Sequence, residues 1–297
     1  MMSRFAGASQ VVEARLTAIL KLIEEHMKAD CLMYDGPMLS GAEDFIRNAV
    51  EDLGNLPDKK RKLVFILETD GGYAEVVRRI SDALRHHYRV VDFLVPSHAM
   101  SAGTILVMSG DAIHMDYHSV LGPIDPQVEN QDGNSIPALG YLVRYEELLD
   151  KANSGTISTA EMGILLNFDQ GNLYSYQQAR DLAVALLEEW LVKYKFKDWR
   201  KTETTKTNVT LQMKRDRAKQ IGQKLNDVKR WNSHGLGISM ERLRRELNLK
   251  IDDFGEDPEL HQHVRRYHTL LKDYMGANSH HSVIHTREGY EPLRMNT

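Results

Sequence analysis

The chain has 297 residues, 42% of them hydrophobic and 27% charged, with a formal net charge of −4 at pH 7. That length buries a sizeable core, and so mild a charge implies no global pull toward nucleic acid or an anionic membrane surface. The single cysteine, Cys31, excludes an intrachain disulfide framework and fits a reducing compartment; with neither an apolar secretion core near the start nor a run of about 18 apolar residues, the sequence reads as soluble and cytoplasmic.

Val12, Leu16, Ile19, Leu20, Ile23 and Met27 recur at helical steps and predict an amphipathic helix over residues 9–28. Residues 31–34 (C-L-M-Y) read as a strand stopped by Asp35, Gly36 and Pro37, and residues 41–53 as a second helix. The apolar run at 63–67 (L-V-F-I-L) predicts a strand buried on both faces, ending in Glu68, Thr69, Asp70, Gly71 and Gly72. A helix with Val76, Val77, Ile80 and Leu84 on one side follows, then a strand at 90–95, a helix at 101–109 and a short strand at 112–115. This alternation predicts an α/β fold. Residues 126–136 read as a polar loop. Beyond residue 137 the pattern turns helical, with Ala179, Leu182, Ala183, Leu186, Trp190 and Tyr194 on one stripe. A helix over 208–229 has a thin apolar face, suited to a partner or to projection, and 239–249 form a short helix. Residues 276–297 carry little apolar content and are expected to be a disordered tail.

Two turns carry the chemistry. Gly71 and Gly72 close a buried strand, where glycine turns sharply and bares N–H groups that can donate to a developing oxyanion; an ordinary strand-to-helix turn is the bland alternative. Residues 99–104 (A-M-S-A-G-T) close the next long strand and open a helix, placing Ser101 where free N–H groups favour negative charge. Alone, such a serine most simply caps its helix. Together, the turns fall at one edge of a parallel sheet, where α/β proteins bind ligands.

This pair of turns resembles the Clp protease and signal peptide peptidase families, which share the crotonase-like fold. The resemblance implies a spiral of ββα units with a helical C-terminal extension, Ser101 as nucleophile, and an oxyanion hole made by the N–H groups of Gly72 and Ala102. Residues 119–127 (S-V-L-G-P-I-D-P-Q) and 233–238 (S-H-G-L-G-I) are similar to the serine dehydrogenase proteinase subgroup, a family name from which dehydrogenase activity does not follow. The likeness covers residues 30–250 and is strongest at 63–127. It implies a helix at 1–29, a catalytic core at 30–172, a helical oligomerisation or lid region at 173–275 and a tail at 276–297. The implied activity is a serine endopeptidase that forms an acyl-enzyme on a peptide or protein substrate and needs no cofactor. The implied protein is a homo-oligomer with contacts from residues 174–230. Without a G-x-x-x-x-G-K-[S/T] motif, any unfoldase or regulator is a separate partner.

The general base is where the sequence departs from those families. The Clp histidine falls near Asp125. Lys151 stands where signal peptide peptidases carry a lysine, but a lysine base needs burial to lower its pKa, and Asp150 and Asn153 beside it do not supply that. His118 and His234 complete the candidates. Of the other histidines, His86 and His87 close a helix, His261, His263 and His268 lie on a polar C-terminal helix, and His281 and His285 form an i, i+4 pair read as surface chance rather than a metal site. Two rival readings use the same fold: an acyl-CoA hydratase or isomerase with the same oxyanion hole, and a scaffold that has lost catalysis.

Overall fold

A computed structural model describes residues 7–124, 127–129, 135–231 and 236–294. The chain begins α1 (Ala8–Met27), β1 (Asp30–Asp35), α2 (Ala42–Asn55), β2 (Lys62–Glu68), α3 (Ala74–His87), β3 (Val90–Leu94), β4 (His98–Ala99), α4 (Ala102–Val107), β5 (Ala112–Met115) and β6 (Val120–Leu121). A hairpin of β7 (Gln127–Glu129) and β8 (Ser135–Pro137) leads into α5 (Ala138–Asn153), α6 (Thr159–Leu166) and α7 (Gln170–Trp190). Then come α8 (Leu211–Leu225), α9 (Val228–Trp231), β9 (Ile238–Ser239), α10 (Met240–Leu247), β10 (Asp252–Asp253), α11 (Pro258–Asn278), β11 (Val283–Thr286) and β12 (Gly289–Pro292).

Among the described residues, seven strands form one mixed sheet in the order β10, β5, β3, β2, β1, β11, β12. The first five run parallel; β11 and β12 run antiparallel to their neighbours. The unbroken apolar run of β2 follows from this position. Leu63, Phe65 and Leu67 enter the apolar cluster on one face, while Val64 and Ile66 enter the cluster on the other. Each such side chain contributes about 1.5–3 kcal/mol by leaving water. One face is covered by α2, α3, α4, α7, α8 and α10, through residues such as Ile46, Ile80, Ile105, Trp190, Ile221 and Leu243. The other is covered by α1 and α11, through Leu16, Leu20, Ile23, Tyr267 and Leu271.

The α/β expectation holds, and two local expectations do not. The thin face of α8 neither projects nor waits for a partner: Ala218, Ile221, Gly222 and Leu225 are buried, with Gly222 close against Val184 and Leu187 of α7. Residues 276–294, the described part of the expected 276–297 tail, are not frayed. They finish α11 and then lay β11 along the open edge of β1, with Met33 opposite His285 and Asp35 opposite Val283. Arg287, at the β11–β12 turn, bonds Asp30 at 2.6 Å, Glu24 at 3.2 Å and Asp58 at 3.0 Å. Two of those carboxylates are buried, so ion pairs and ladder bonds hold the segment together with its buried Val283, Ile284 and Leu293. His285 is fully buried, its ring bonded to Thr17 at 3.1 Å and Tyr267 at 2.7 Å. His281 is exposed, so the i, i+4 pair of the sequence is split between inside and outside.

Candidate active site

The parallel strands deliver both turns to one edge. Thr69, just past β2, pairs with Ala99 of β4: the Thr69 N–H donates to the His98 carbonyl at 3.2 Å, and the Met100 N–H donates to the Thr69 carbonyl at 2.9 Å. The next residues of the two segments, Gly71 and Ser101, therefore meet. A Cβ added to Gly71 would lie 2.8 Å from the Ser101 Cβ and 3.4 Å from the Ala102 nitrogen. Both glycines have positive φ, 108° at Gly71 and 147° at Gly72, a region that side chains avoid.

Ser101 is 6% exposed and has φ 48° and ψ −115°, a left-handed conformation rare for a residue with a side chain. Its hydroxyl does not cap α4, so the bland capping role is not the one it plays here. The helix it opens has six residues, shorter than the 101–109 helix expected, and contributes its first N–H groups rather than a long dipole. The turn is clamped from behind. Thr104, fully buried, has its one hydroxyl proton within reach of the Ala99 carbonyl at 2.7 Å and the Gly122 carbonyl at 2.9 Å, and accepts the Gly122 N–H at 2.9 Å. Gly103 packs so closely on Thr69 that an added Cβ would meet the Thr69 methyl at 2.3 Å, and one on Gly122 would meet the Ser101 nitrogen at 3.0 Å. The small residues of the sequence motif are thus required by close approach of three backbones.

The Gly71 N–H donates to the Thr69 hydroxyl at 3.0 Å. Among the described residues, neither the Gly72 N–H nor the Ala102 N–H donates to a protein acceptor, and Gly72 is exposed. Two unspent donors beside a buried hydroxyl are the elements an oxyanion site needs.

The two base candidates among the described residues are engaged elsewhere. Lys151, at the end of α5, is half-exposed and bonds Glu161 of α6; that bond, more than any other, holds the Glu161 carboxyl down at about 2. His118 is exposed, in the turn between β5 and β6, where its N–H donates to Asp116 at 2.9 Å. It stands two residues before Val120, which pairs with His98. Asp125 and His234 lie outside the described residues.

Sequence reasoning missed a charged network beneath the diglycine turn. The His98 Nε2 lies 3.1 Å from Asp70, and its Nδ1 lies 3.8 Å from Glu68. Glu68 meets His268 at 2.5 Å and Lys272 at 2.9 Å, and Lys272 meets Asp35 at 2.7 Å. Burial alone would raise Glu68, but His268 and Lys272 hold it at about 2. The available signal was that Asp35, Glu68 and Asp70 close adjacent parallel strands, a place where carboxylates need cations.

Residues 46–170 match the family model of the ClpP-like SDH-type serine proteinases. The resemblance read from the serine and diglycine motifs is thereby met, since the matched SDH-type stretch contains both turns. Two uncharacterized proteins of Methanocaldococcus jannaschii are similar in sequence. One is 31% identical over 146 residues, 46% of this chain and 49% of that protein. The other is 25% identical over 160 residues, 53% of this chain and 51% of that protein. The chain spans about half the length of the curated relatives it matches. Among solved structures, a mutant of the 1510-N membrane-bound stomatin-specific protease aligns over 77% of this chain and 81% of its own, with 12% identity and a TM-score of 0.44. ClpP1 from Listeria monocytogenes aligns over 77% and 91%, with 11% identity and a TM-score of 0.40.

Proposed function

We propose that the chain is a serine endopeptidase in which Ser101 attacks a peptide carbonyl and the N–H groups of Gly72 and Ala102 receive the oxyanion. The observation that carries this reading is the strained turn at Ser101. A non-glycine residue held in such a conformation costs about 1–3 kcal/mol, and such strain concentrates at functional sites. Here the strain sets the Cβ of a buried serine against a diglycine whose second N–H has no acceptor among the described residues. In the reaction, the Ser101 Oγ bonds to the carbonyl carbon as a base takes its proton. The tetrahedral oxyanion then collapses, the leaving amine takes a proton, and water releases the acyl group by the reverse sequence. Each oxyanion donor contributes about 10²- to 10³-fold in rate. Of the base candidates, Asp125 follows Gly122, which abuts Ser101, by three residues, and we assign it to orient or accept the proton.

A second copy of the chain is the proposed partner. Helix α6 carries Met162, Ile164, Leu165 and Leu166 and buries none of its residues, and Leu166 and Tyr174 are 78% and 62% exposed; apolar surface of this kind marks an interaction site. Among the described residues no helix is long and apolar enough to cross a membrane; a cytoplasmic, peptide-cleaving homo-oligomer without a cofactor is the reading we adopt.

A fluorophosphonate probe tests the proposal: it should label the wild type and fail to label Ser101→Ala. Labelling of both proteins, or of neither, overturns it. One observation favours the scaffold reading, the diversion of Lys151 to Glu161; absent labelling with an intact fold would support that reading instead. Acyl-CoA turnover that survives Ser101→Ala would support the hydratase.

A further inference from the structure

We propose that His98 is a positioning residue whose protonated ring straps the diglycine turn to the Ser101 turn. His98 lies on β4, three residues before Ser101, and Asp70 immediately precedes Gly71. The 3.1 Å contact between them ties together the two segments that must face each other for an oxyanion site to exist. Asp70 is 95% exposed, and its contact with the imidazole adds a side-chain tie to the backbone bonds that join the segments.

The surrounding charge calls for a cation at this point. Three carboxylates face the strap: Asp35 from the end of β1, and Glu68 and Asp70 from the end of β2. Helix α11 answers with Lys272 and His268. Three carboxylates stand against the one lysine, and protonation of His98 offsets part of that excess. The bond to Asp70 raises the His98 pKa first of all, aided by the charges of Glu68, Asp70 and Asp35 and opposed by burial. Asp70 is correspondingly lowered, chiefly by the same bond. Since the raised histidine carries its charge below its folded pKa, the strap holds in acid-to-neutral solution and loosens as pH rises through that value. The backbone bonds of Thr69 with β4 and of Met38 with Gly71 and Tyr73 persist at every pH, so loosening shifts the glycines locally without unzipping the strands.

The serine-peptidase reading underlies only the kinetic part of the test. The structural part uses the full chain labelled with ¹⁵N-glycine, following the Gly71 and Gly72 amides against pH in the wild type, Asp70→Asn and His98→Gln. In the wild type both amides should titrate with the His98 ring. In Asp70→Asn the ring midpoint should fall and the glycine titration should shrink with it; in His98→Gln it should vanish. Labelling by a fluorophosphonate should slow about two- to five-fold in His98→Gln, the scale of a partly exposed ion pair, and lose its fall above neutral pH. Glycine amides that ignore pH in the wild type, or titrate unchanged in Asp70→Asn, overturn the strap whether or not Ser101 reacts. Titration as expected in a protein that no probe labels would uphold the strap and defeat the peptidase instead.

Discussion

Gly71→Ala is the sharpest perturbation of the proposed site. At φ 108° any side chain is strained, and an added Cβ would sit 2.8 Å from the Ser101 Cβ and 3.0 Å from the Met100 carbonyl. The backbone penalty for a left-handed L-residue is about 1–2 kcal/mol, and forcing a methyl into a packed site adds about 1–3 kcal/mol. At roughly 2–4 °C per kcal/mol for a chain of this size, the melting temperature should fall by about 4–20 °C. Relief requires the diglycine to swing away from Ser101, so labelling by a fluorophosphonate should fall about 10²- to 10³-fold, the loss expected when an oxyanion donor is displaced. Gly155→Ala supplies the control: φ is 67° there, but no atom lies within 4 Å of the added Cβ. It should cost only the backbone penalty of about 1–2 kcal/mol and leave labelling intact. Stability and labelling rate would be measured on both proteins below their melting temperatures. If Gly71→Ala labels at the wild-type rate while folded, the diglycine plays no part in the chemistry and the oxyanion assignment fails.

Ser101→Gly should abolish labelling while raising stability by about 1 kcal/mol, because glycine adopts φ 48° without strain; a less stable variant would mean that the serine side chain is needed for folding. Arg287→Met leaves the buried Glu24 and Asp30 without their cation and should cost about 3–5 kcal/mol in urea unfolding; a loss under 1 kcal/mol would show that water replaces it. His285 is pushed down to about 4 by burial alone. Its neutral form is favoured in the fold, so stability is intact above the unfolded value near 6.5 and is lost as pH falls from there toward 4, by about 3 kcal/mol in all. In His285→Gln that acid loss should shrink, as read from melting temperatures between pH 4 and 7.

Much of the central sheet was legible because burial on both faces leaves a mark in sequence. The run at 63–67 can be nothing but apolar when β2 has clusters above and below it. Ser101 and the diglycine were legible for a related reason: close backbone approach admits only small residues at Gly71, Gly103 and Gly122. The terminal strands were not. Val283, Ile284, His285 and Thr286 are too few and too polar to announce a strand, and their burial is made possible by Thr17, Tyr267 and the ion pairs of Arg287, contributed from up to 268 residues away. The charged network under the diglycine was illegible likewise. Each member reads as an ordinary surface residue until β1, β2, β4 and α11 converge. Lys151 shows the converse, since a position suggested by resemblance alone is answered by Glu161.

The pairing of β11 with β1 joins residues some 250 positions apart, and this sets an order of events during synthesis. A ribosome has finished β1, β2, β3 and β5 long before it reaches residue 283, so the flank of β1 stays bare in the nascent chain, with Cys31 and Met33 uncapped by α11 as well. Bare strand flanks invite pairing with a neighbour on the same polysome. Chaperone dependence should therefore concentrate in the interval before the last hairpin emerges.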